Sequence, residues 1–275
     1  MSKCNSCPSK NNCSKPQEGC GIENNPLNNV NRVIGVMSGK GGVGKSTIST
    51  LIAEGLRSQG YKVGIMDSDI TGPSIPRLLG LKDAHAVSKD GLIQPVLTES
   101  GIKVMSFNLL MEDENQPVIW RGPIVSSAVK QFWTDVYWGD LDYLVIDMPP
   151  GTGDVALTVM DSIPINGLVM VSVPQDMVSM IVAKAVNMAK KMDVDIVGVV
   201  QNMSYIQCPN CDEKIRMYDG ENIEEFLKDL DLELLGELPM TKEISNISFK
   251  GYDDSKESIE KLFDTILKKI IASID

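Results

Sequence analysis

The stretch Met37–Thr47, MSGKGGVGKST, decides the fold. Within it, Gly39–Ser46 matches the phosphate-loop motif G-x-x-x-x-G-K-[ST], and the motif lies between an apolar run, VIGVMS, and an amphipathic segment, STISTLIAEGLRSQ. The glycines let the backbone fold round a phosphate with its N–H groups pointing inward, and the N-terminus of the following helix adds partial positive charge. The sequence therefore predicts a nucleotide-binding loop between a strand and a helix.

Each position of this loop has a predicted role with a triphosphate. We expect Lys45 to bridge the terminal phosphates and Ser46 to coordinate Mg²⁺. Lys40 is a second lysine that phosphate binding within one subunit does not need, so it either has another function or is a solvated charge. The predicted nucleotide-binding residues of the loop are Gly39, Lys40, Gly41, Gly42, Val43, Gly44, Lys45, Ser46 and Thr47.

The rest of the chain alternates short apolar runs with segments of helical length. The runs are VIGVMS, KVGIM, KVMSF, YLVIDM, GLVMVSV and DIVGVV. This alternation is typical of a doubly wound α/β fold, in which helices cover both faces of a mostly parallel sheet. The segment 255–274 has apolar residues at helical spacing and a polar face of mixed charge, which favours packing against the sheet over membrane binding. We predict a P-loop NTPase domain over residues 32–275.

Residues 1–31 have a different composition, rich in Asn, Ser, Lys, Pro and Cys with almost no branched aliphatic residues. Such a segment cannot form a core unaided, so we interpret it as a flexible tail. Its cysteines are Cys4, Cys7, Cys13 and Cys20.

Composition restricts the partners. The net charge of −11 opposes binding to nucleic acid or to an anionic membrane surface. No apolar run approaches the length of about 18 residues that a membrane span needs, and no export signal is present, so we expect a cytoplasmic protein. In that compartment the six cysteines are metal ligands or free thiols rather than a disulfide framework.

Three carboxylates follow predicted strands and are candidates for the chemistry at the phosphates. Asp67 and Asp69 end the run KVGIM, and Asp147 ends YLVIDM. Ligands of open α/β sheets bind at the carboxyl ends of the strands. We predict that Asp147 holds Mg²⁺, that Asp69 positions or activates the attacking water, and that Asp67 supports the magnesium shell. An exchange of the last two roles is the alternative.

Asn202 follows the last predicted strand, DIVGVV, where GTP-binding relatives carry a base-reading N-K-x-D motif. The aspartate that would accept from the guanine edge is missing here. An asparagine side chain pairs with both the donor and the acceptor of adenine. The sequence therefore favours ATP over GTP.

A single C-x-x-C pair, Cys208 and Cys211, follows this strand closely. Two thiolates are too few for a zinc or iron-sulfur site, which generally takes four ligands. In a twofold dimer the two pairs would supply four cysteines on the symmetry axis, a stoichiometry that suits a bridging [4Fe-4S] cluster. A zinc knuckle is the alternative, since thiolates at this spacing bind zinc equally well.

Several motifs in order carry a family resemblance: SGKGGVGKST, DSDITGPSIP, WRGP, DYLVIDMPPGTGD, and QNMSY followed by CPNC. From about residue 28 onwards the chain resembles the Mrp/ApbC family of iron-sulfur cluster carrier ATPases. The resemblance implies a homodimer that holds a [4Fe-4S] cluster through Cys208 and Cys211 of both subunits. It also implies weak ATPase activity, contact with the cluster assembly machinery, and transfer of the cluster to apo-proteins.

The loop itself resembles the deviant Walker A signature of the MinD, ParA and nitrogenase iron-protein group. In that group the lysine at the position of Lys40 reaches across the dimer to the partner's nucleotide, so the resemblance makes Lys40 a catalytic residue in trans. A MinD- or ParA-like positioning ATPase with a structural zinc knuckle is the alternative function. An electron donor similar to the nitrogenase iron protein is a third, which the paired cysteines disfavour.

The tail cysteines read C-x2-C-x5-C-x6-C. The first three resemble the tail motif of eukaryotic cytosolic iron-sulfur scaffold relatives, whose fourth cysteine lies upstream and is absent here. If Cys20 replaces it, the tail holds a second [4Fe-4S] cluster through Cys4, Cys7, Cys13 and Cys20. Mobile thiols or zinc are the alternatives.

Overall fold

The structure is a computed structural model that describes residues 24–70, 72–111, 122–176, 180–208, 210–211, 213–217, 223–244, 247 and 256–274. The predicted tail cluster, with Cys4, Cys7, Cys13 and Cys20, lies outside the described residues. So do the first two residues of the WRGP motif.

The described residues form an alternating series of strands and helices. The strands are β1 (Asn29–Ser38), β2 (Val63–Asp67), β3 (Val87–Lys89), β4 (Leu92–Gln94), β5 (Val96–Leu97), β6 (Lys103–Met105), β7 (Asp140–Asp147), β8 (Gly167–Ser172), β9 (Ile196–Gln201), β10 (Ile206–Gln207), β11 (Lys214–Ile215) and β12 (Leu234–Glu237). The helices are α1 (Lys45–Ser58), α2 (Ile75–Leu78), α3 (Gly122–Thr134), α4 (Asp154–Ser162), α5 (Met180–Lys191), α6 (Ile223–Asp229) and α7 (Lys256–Ile274). Short 3-10 turns cover Phe107–Leu110 and Pro174–Asp176.

The main sheet has the strand order β12-β9-β8-β1-β7-β2-β6-β5. Its strands pair in parallel, except that β5 runs antiparallel to β6 at one edge. The chain winds from β1 towards β2 and β6 on one side and later towards β8 and β9 on the other. The prediction of a doubly wound, mostly parallel α/β sheet is confirmed.

Helices cover both faces of this sheet, and each face has its own apolar core. One core joins α1, α2 and α7 to the sheet, and the other joins α3, α4, α5 and α6 to the opposite face. Ile259 and Ile270 of α7 have no exposed surface, which confirms that the C-terminal helix packs on the sheet. Full burial of such a side chain contributes about 1.5–3 kcal/mol, so this helix is part of the domain core. None of the helices in the described ranges is both long and apolar enough to cross a membrane.

The folded part begins before the predicted boundary at residue 32. Strand β1 starts at Asn29, and its first residue pairs with Asp140 of β7. Ahead of the strand, Asn25 Nδ2 donates to Thr134 O and Asn28 Nδ2 donates to Val136 O, each at 2.8 Å. These contacts explain the difference, because asparagine side chains hold the polar segment to the domain by hydrogen bonds that an apolar pattern does not reveal.

Parallel pairing places the carboxyl ends of the central strands at one edge of the sheet. Val36 of β1 lies opposite Asp147 of β7, which in turn lies opposite Asp67 of β2. The loop after β1 therefore starts beside two carboxylates that are distant in sequence. This edge, next to the point where the winding direction reverses, is where open α/β sheets bind ligands.

Candidate functional site

The phosphate loop connects β1 to α1 in the geometry that a phosphate requires. Gly42 and Gly44 have φ angles of +81° and +83°, a region that favours glycine. A Cβ atom on Gly41 or Gly42 would meet nothing within 4 Å, so the backbone there borders open space. Gly44 precedes the first residue of α1, whose N-terminal N–H groups face the loop. The loop thus has a shape that can bind an anion.

An open cavity of about 510 Å³ lies over this loop. Its wall contains most of the predicted nucleotide-binding residues together with residues that the motif does not predict. The lining residues are Ser38, Lys40, Gly41, Gly42, Gly44, Lys45, Ser46, Thr47, Asp69, Gly72, Ser74, Arg77, Leu78 and Pro150. Lys40, Lys45 and Arg77 make the wall cationic, which suits a polyphosphate.

The structure brings Lys45, Ser46 and Asp147 together, as the sequence predicts. Lys45 Nζ lies 2.8 Å from Asp147 Oδ1, and Ser46 Oγ donates to Asp147 Oδ2 at 2.6 Å. Ser49 Oγ, one helical turn further along α1, donates to Asp147 Oδ1 at 2.7 Å. Asp147 has no exposed surface. A buried lysine and two hydroxyl groups, rather than water, balance its charge.

Asp67 is buried beside Asp147 and has a perturbed pKa. Burial, followed by the negative charge of Asp147, raises the pKa of Asp67 to about 7. Its Oδ2 accepts from Ser106 Oγ at 3.1 Å, and its Oδ1 accepts from the backbone N–H of Asp69 at 3.1 Å. Asp69 itself lines the cavity. The two carboxylates of the DSD segment thus have different environments, one behind the cavity wall and one in it.

Asn202 lies behind the phosphate loop and is only 2% exposed. Its Nδ2 donates to Val43 O at 2.9 Å, while its Oδ1 has no hydrogen-bond partner among the described residues. A Cβ atom on Gly44 would lie 2.2 Å from Asn202 Nδ2, so the loop needs glycine at this close approach. The predicted base-reading residue therefore contacts the loop through its amide nitrogen.

The C-x-x-C pair lies at the turn of a small hairpin formed by β10 and β11. The backbone N–H of Cys208 donates to Glu213 O at 3.0 Å, which closes the turn. Hydrogen bonds to the Cys208 sulfur, first from the Asn210 backbone and next from the Cys211 side chain, lower the pKa of the Cys208 thiol. Cys208 is half-buried and Cys211 exposed, and neither forms a disulfide. This arrangement favours the thiolate form that binds metals.

In its described residues, the cysteine hairpin offers two thiols, fewer than the four ligands that a metal site generally takes. Among the described residues, no group of three or more His, Cys, Asp or Glu side chains has the arrangement of a metal site. The hairpin is anchored to the main sheet by a bidentate ion pair, in which Arg216 Nη1 and Nη2 donate to Glu237 Oε1 and Oε2 at 2.8 and 2.9 Å. Arg216 Nη1 also donates to Ser204 Oγ at 3.2 Å.

Sequence reasoning missed several residues of the nucleotide site, among them Ser49, Ser106 and Arg77. Ser49 bonds Asp147, Ser106 bonds Asp67, and Arg77 lines the cavity. Ser49 had a signal, because it lies three residues after Ser46 and so shares its helix face. Ser106 follows strand β6, whose position beside β2 is a matter of topology, and Arg77 lies in a short helix without a recognisable pattern.

A family model described as ParA, NUBPL iron-transfer P-loop NTPase, matches residues 29–274. An iron-sulfur cluster carrier protein of Clostridium perfringens is 46% identical over 282 residues, covering 98% of this chain and 99% of the relative. The iron-sulfur cluster transfer protein NUBPL of Mus musculus is 43% identical and covers 82% of this chain and 71% of the relative.

Solved structures agree with the fold. A nucleotide-binding protein of Archaeoglobus fulgidus in complex with ADP is similar at 40% identity with a TM-score of 0.71, covering 81% of this chain and 87% of that one. The septum site-determining protein MinD of Pyrococcus horikoshii, complexed with Mg-ADP, has a TM-score of 0.59 at 19% identity, covering 87% and 96% of the two chains. The second similarity concerns the fold alone.

Proposed function

Because the chain belongs to the ParA/NUBPL family of iron-transfer P-loop NTPases, we propose that it is an ATP-hydrolysing carrier that binds an iron-sulfur cluster and transfers it to apo-proteins. One observation carries the proposal: a pair of free thiols, Cys208 and Cys211, lies on an anchored hairpin in the same domain as a complete phosphate loop. The phosphate loop alone supports many functions, whereas the thiols specify a soft metal as cargo. Since the thiols must stay reduced, the cytoplasm is the proposed compartment.

The nucleotide site fits Mg-ATP. The hydroxyl of Ser46 and the carboxylate of Asp147 are the hard oxygen donors that Mg²⁺ prefers, and they lie within hydrogen-bond distance of each other. Ser46 and Asp147 would hold the ion, which would supply positive charge against the charge that develops on the phosphates. Phosphate oxygens then replace Asp147 as the partner of Lys45. Asp69, in the cavity wall, orients or activates the attacking water, and buried Asp67, beside Asp147, supports the magnesium shell. The exchange of these two roles is the alternative.

Asn202 is the proposed contact for adenine. Its amide nitrogen is taken by Val43 O, which leaves Oδ1 as an acceptor without a partner in the described part of the chain. The adenine amino group is a donor of the kind that this oxygen needs. The hydrogen bond from Asn202 Nδ2 to Val43 O connects this base contact to the backbone of the phosphate loop.

The carrier is proposed to act as a homodimer that closes over nucleotide. Each chain supplies two thiols, so two chains supply the four thiolates of a [4Fe-4S] cluster. Lys40, in the cavity wall, is proposed to reach the partner's nucleotide and to neutralise charge on the transferring phosphoryl group. Hydrolysis then opens the dimer and alters its affinity for the cluster.

Anaerobic reconstitution with iron and sulfide tests this proposal. The starting protein carries serine at the four tail positions, so that iron bound elsewhere is counted alone. We expect about two iron atoms per chain, because one [4Fe-4S] cluster is shared by two chains. Replacing Cys208 or Cys211 by serine in this background should reduce the iron content to near zero, whereas replacing exposed Ser58 by alanine should leave it unchanged.

Two results would contradict the proposal. Equal iron content with and without Cys208 would remove the hairpin as the cluster site. Purification with stoichiometric zinc that iron and sulfide cannot replace would instead indicate a structural zinc knuckle. Analytical ultracentrifugation of the loaded protein, with and without ATP, tests separately whether the cluster is held by a dimer.

A further inference from the structure

A second cavity, of about 390 Å³, lies at the edge of the sheet opposite the phosphate loop. It is formed where the strands begin: Lys62 precedes β2, Lys103 begins β6, and Asp140 begins β7. Arg57, in the last turn of α1, completes one side. Because α1 starts at the phosphate loop and has 14 residues, its length separates the two cavities by about 20 Å.

The cavity is cationic although the chain as a whole is acidic. Arg57, Lys62 and Lys103 line it with Asp140 as the carboxylate, in a chain whose net charge is −11. In the part of the chain that the structure describes, none of these three cations forms an ion pair. Arg57 Nε donates to Ser100 O at 2.6 Å, and Lys103 Nζ donates to Trp138 O, so two of the positive charges are held by neutral carbonyl groups.

Two glycines shape the floor of this cavity around the cationic groups. Gly101 and Gly139 have φ angles of +88° and +59°. A Cβ atom on Gly101 would lie 3.3 Å from Arg57 Nη2, and one on Gly139 would lie 3.2 Å from Lys103 Nζ. The guanidinium and the ammonium therefore lie directly against backbone that only glycine leaves open. The backbone at these glycines therefore fixes the positions of the cationic groups.

The pKa of Lys103 reflects its burial and the charges beside it. Burial lowers the pKa of Lys103; Asp140 raises it in part, and the positive charge of Lys62 lowers it further. Lys103 Nζ also lies 5.7 Å from the ring centroid of Tyr137, a cation–π contact. A bound anion would offset both the burial of this ammonium and its repulsion from Lys62.

We propose that this cavity binds a small anion that carries phosphate or carboxylate groups. The guanidinium of Arg57 and the ammonium groups of Lys62 and Lys103 match oxyanions, and charge-assisted hydrogen bonds of this kind are strong. The volume is near the lower limit of small-molecule pockets, which excludes a large ligand. The site is separate from the nucleotide cavity, so the proposal does not depend on the carrier function.

Amide NMR on the full chain tests the proposal, with inorganic pyrophosphate and citrate as separate probes in magnesium-free buffer. The amides of Gly101 and Gly139 report on the second cavity, and those of Gly42 and Gly44 report on the phosphate loop. We expect saturable shifts at Gly101 and Gly139 with at least one probe. The two probes distinguish a phosphate ligand from a carboxylate ligand.

Three variants locate the binding further. Lys62→Gln and Lys103→Met should each weaken the binding seen at Gly101 by about tenfold, since each removes a charged hydrogen-bond donor. Lys89→Gln is the matched control, an exposed lysine on β3 whose loss should leave this affinity unchanged. Lys62 is exposed, so its variant keeps the test valid even if Lys103→Met folds poorly.

The opposite results would overturn the proposal. Absence of shifts at Gly101 and Gly139 with both probes, or shifts confined to Gly42 and Gly44, would mean that the second cavity binds no such anion. Equal affinity in Lys62→Gln and in Lys89→Gln would mean that the cations of the cavity do not contribute.

Discussion

Asp67 makes the stability of the metal-free protein depend on pH in a way that one substitution should remove. The ordinary pKa of the aspartate carboxyl is 3.8, and burial beside Asp147 raises the pKa of Asp67 to about 7. Between these pH values the folded protein holds a proton that the unfolded chain has released. The free energy of unfolding therefore falls as the pH rises towards 7, and this loss is complete above 7.

The size of the effect follows from the same pKa values. One pH unit of protonation difference corresponds to about 1.4 kcal/mol, and two such units lie between pH 5 and the folded pKa of Asp67. The contribution of Asp67 to the free energy of unfolding of the wild-type protein should thus be about 3 kcal/mol less favourable at pH 8 than at pH 5. An asparagine side chain cannot ionise. From pH 5 to pH 8, the free energy of unfolding of Asp67→Asn should therefore rise by about 3 kcal/mol relative to that of the wild type.

Urea unfolding of nucleotide-free protein in EDTA measures this difference. The asparagine amide would face a hydrogen-bond donor, either the N–H of Asp69 or that of Ile75, so the variant has a pH-independent cost as well. The informative quantity is therefore the change in the difference between the two proteins from pH 5 to pH 8. EDTA is essential, because a bound cation beside Asp67 would favour its ionised form.

Asp83→Asn is the matched control, since Asp83 is exposed on a turn. Its difference from wild type should stay within about 0.5 kcal/mol across the same pH interval. If Asp67→Asn behaves like this control, then the buried carboxyl is not protonated in the folded protein, and the reasoning about its environment is wrong.

Three further changes test the loop, the second lysine and the cysteine hairpin. Gly44→Ala should abolish ATP binding in a filter assay, because its Cβ would lie 2.2 Å from the buried side-chain amide of Asn202. Gly60→Ala is the control, since Gly60 has a similar positive φ but open space around it. This control should retain ATP binding and lower the free energy of unfolding by about 1–2 kcal/mol. Lys40→Ala should keep ATP binding yet lower the rate of steady-state ATP hydrolysis about tenfold or more. Lys89→Ala is the control and should leave this rate unchanged. An unchanged rate in Lys40→Ala would rule out a catalytic role for Lys40. Arg216→Ala should lower the metal affinity of the hairpin, measured in competition with a chelator. The free energy of unfolding should change by about 1 kcal/mol or less, because the ion pair with Glu237 is partly exposed. Unaltered metal affinity would show that this ion pair does not position the thiols.

Much of the fold is predictable because its causes are local. Strands that are buried on both faces read as continuous apolar runs, as residues 143–146 of β7 and 167–171 of β8 do. The meeting of Lys45, Ser46 and Asp147 is also predictable, since motif and strand ends specify their places once the sheet is known to be parallel.

The remaining features depend on contacts that a single sequence does not encode by periodicity. Strands β10 and β11 have two residues each, too few to show an alternating pattern. The ion pair from Arg216 to Glu237 joins residues 21 positions apart whose types are common on any surface. The cationic cavity adds Lys103 to Arg57 and Lys62 only because β6 pairs with β2, which the sequence pattern does not specify. Sequence analysis finds ligands that belong to motifs, and it misses the residues that hold them in position.

The proposed nucleotide and metal sites are connected by one short segment of the chain. Both sites lie close to the end of β9. Asn202 Nδ2 donates to Val43 O of the phosphate loop, and Cys208 follows only a few residues later in the chain. Between them Met203 has a φ of +52°, a conformation that costs a residue with a side chain about 1–2 kcal/mol and is kept only if its surroundings impose it. We expect a shift of the loop on nucleotide binding to act first on Asn202 and then on Met203, while the ion pair at Arg216 holds the hairpin at its other strand. The segment 202–208 is therefore the part of the chain through which hydrolysis is expected to change the affinity of the thiols.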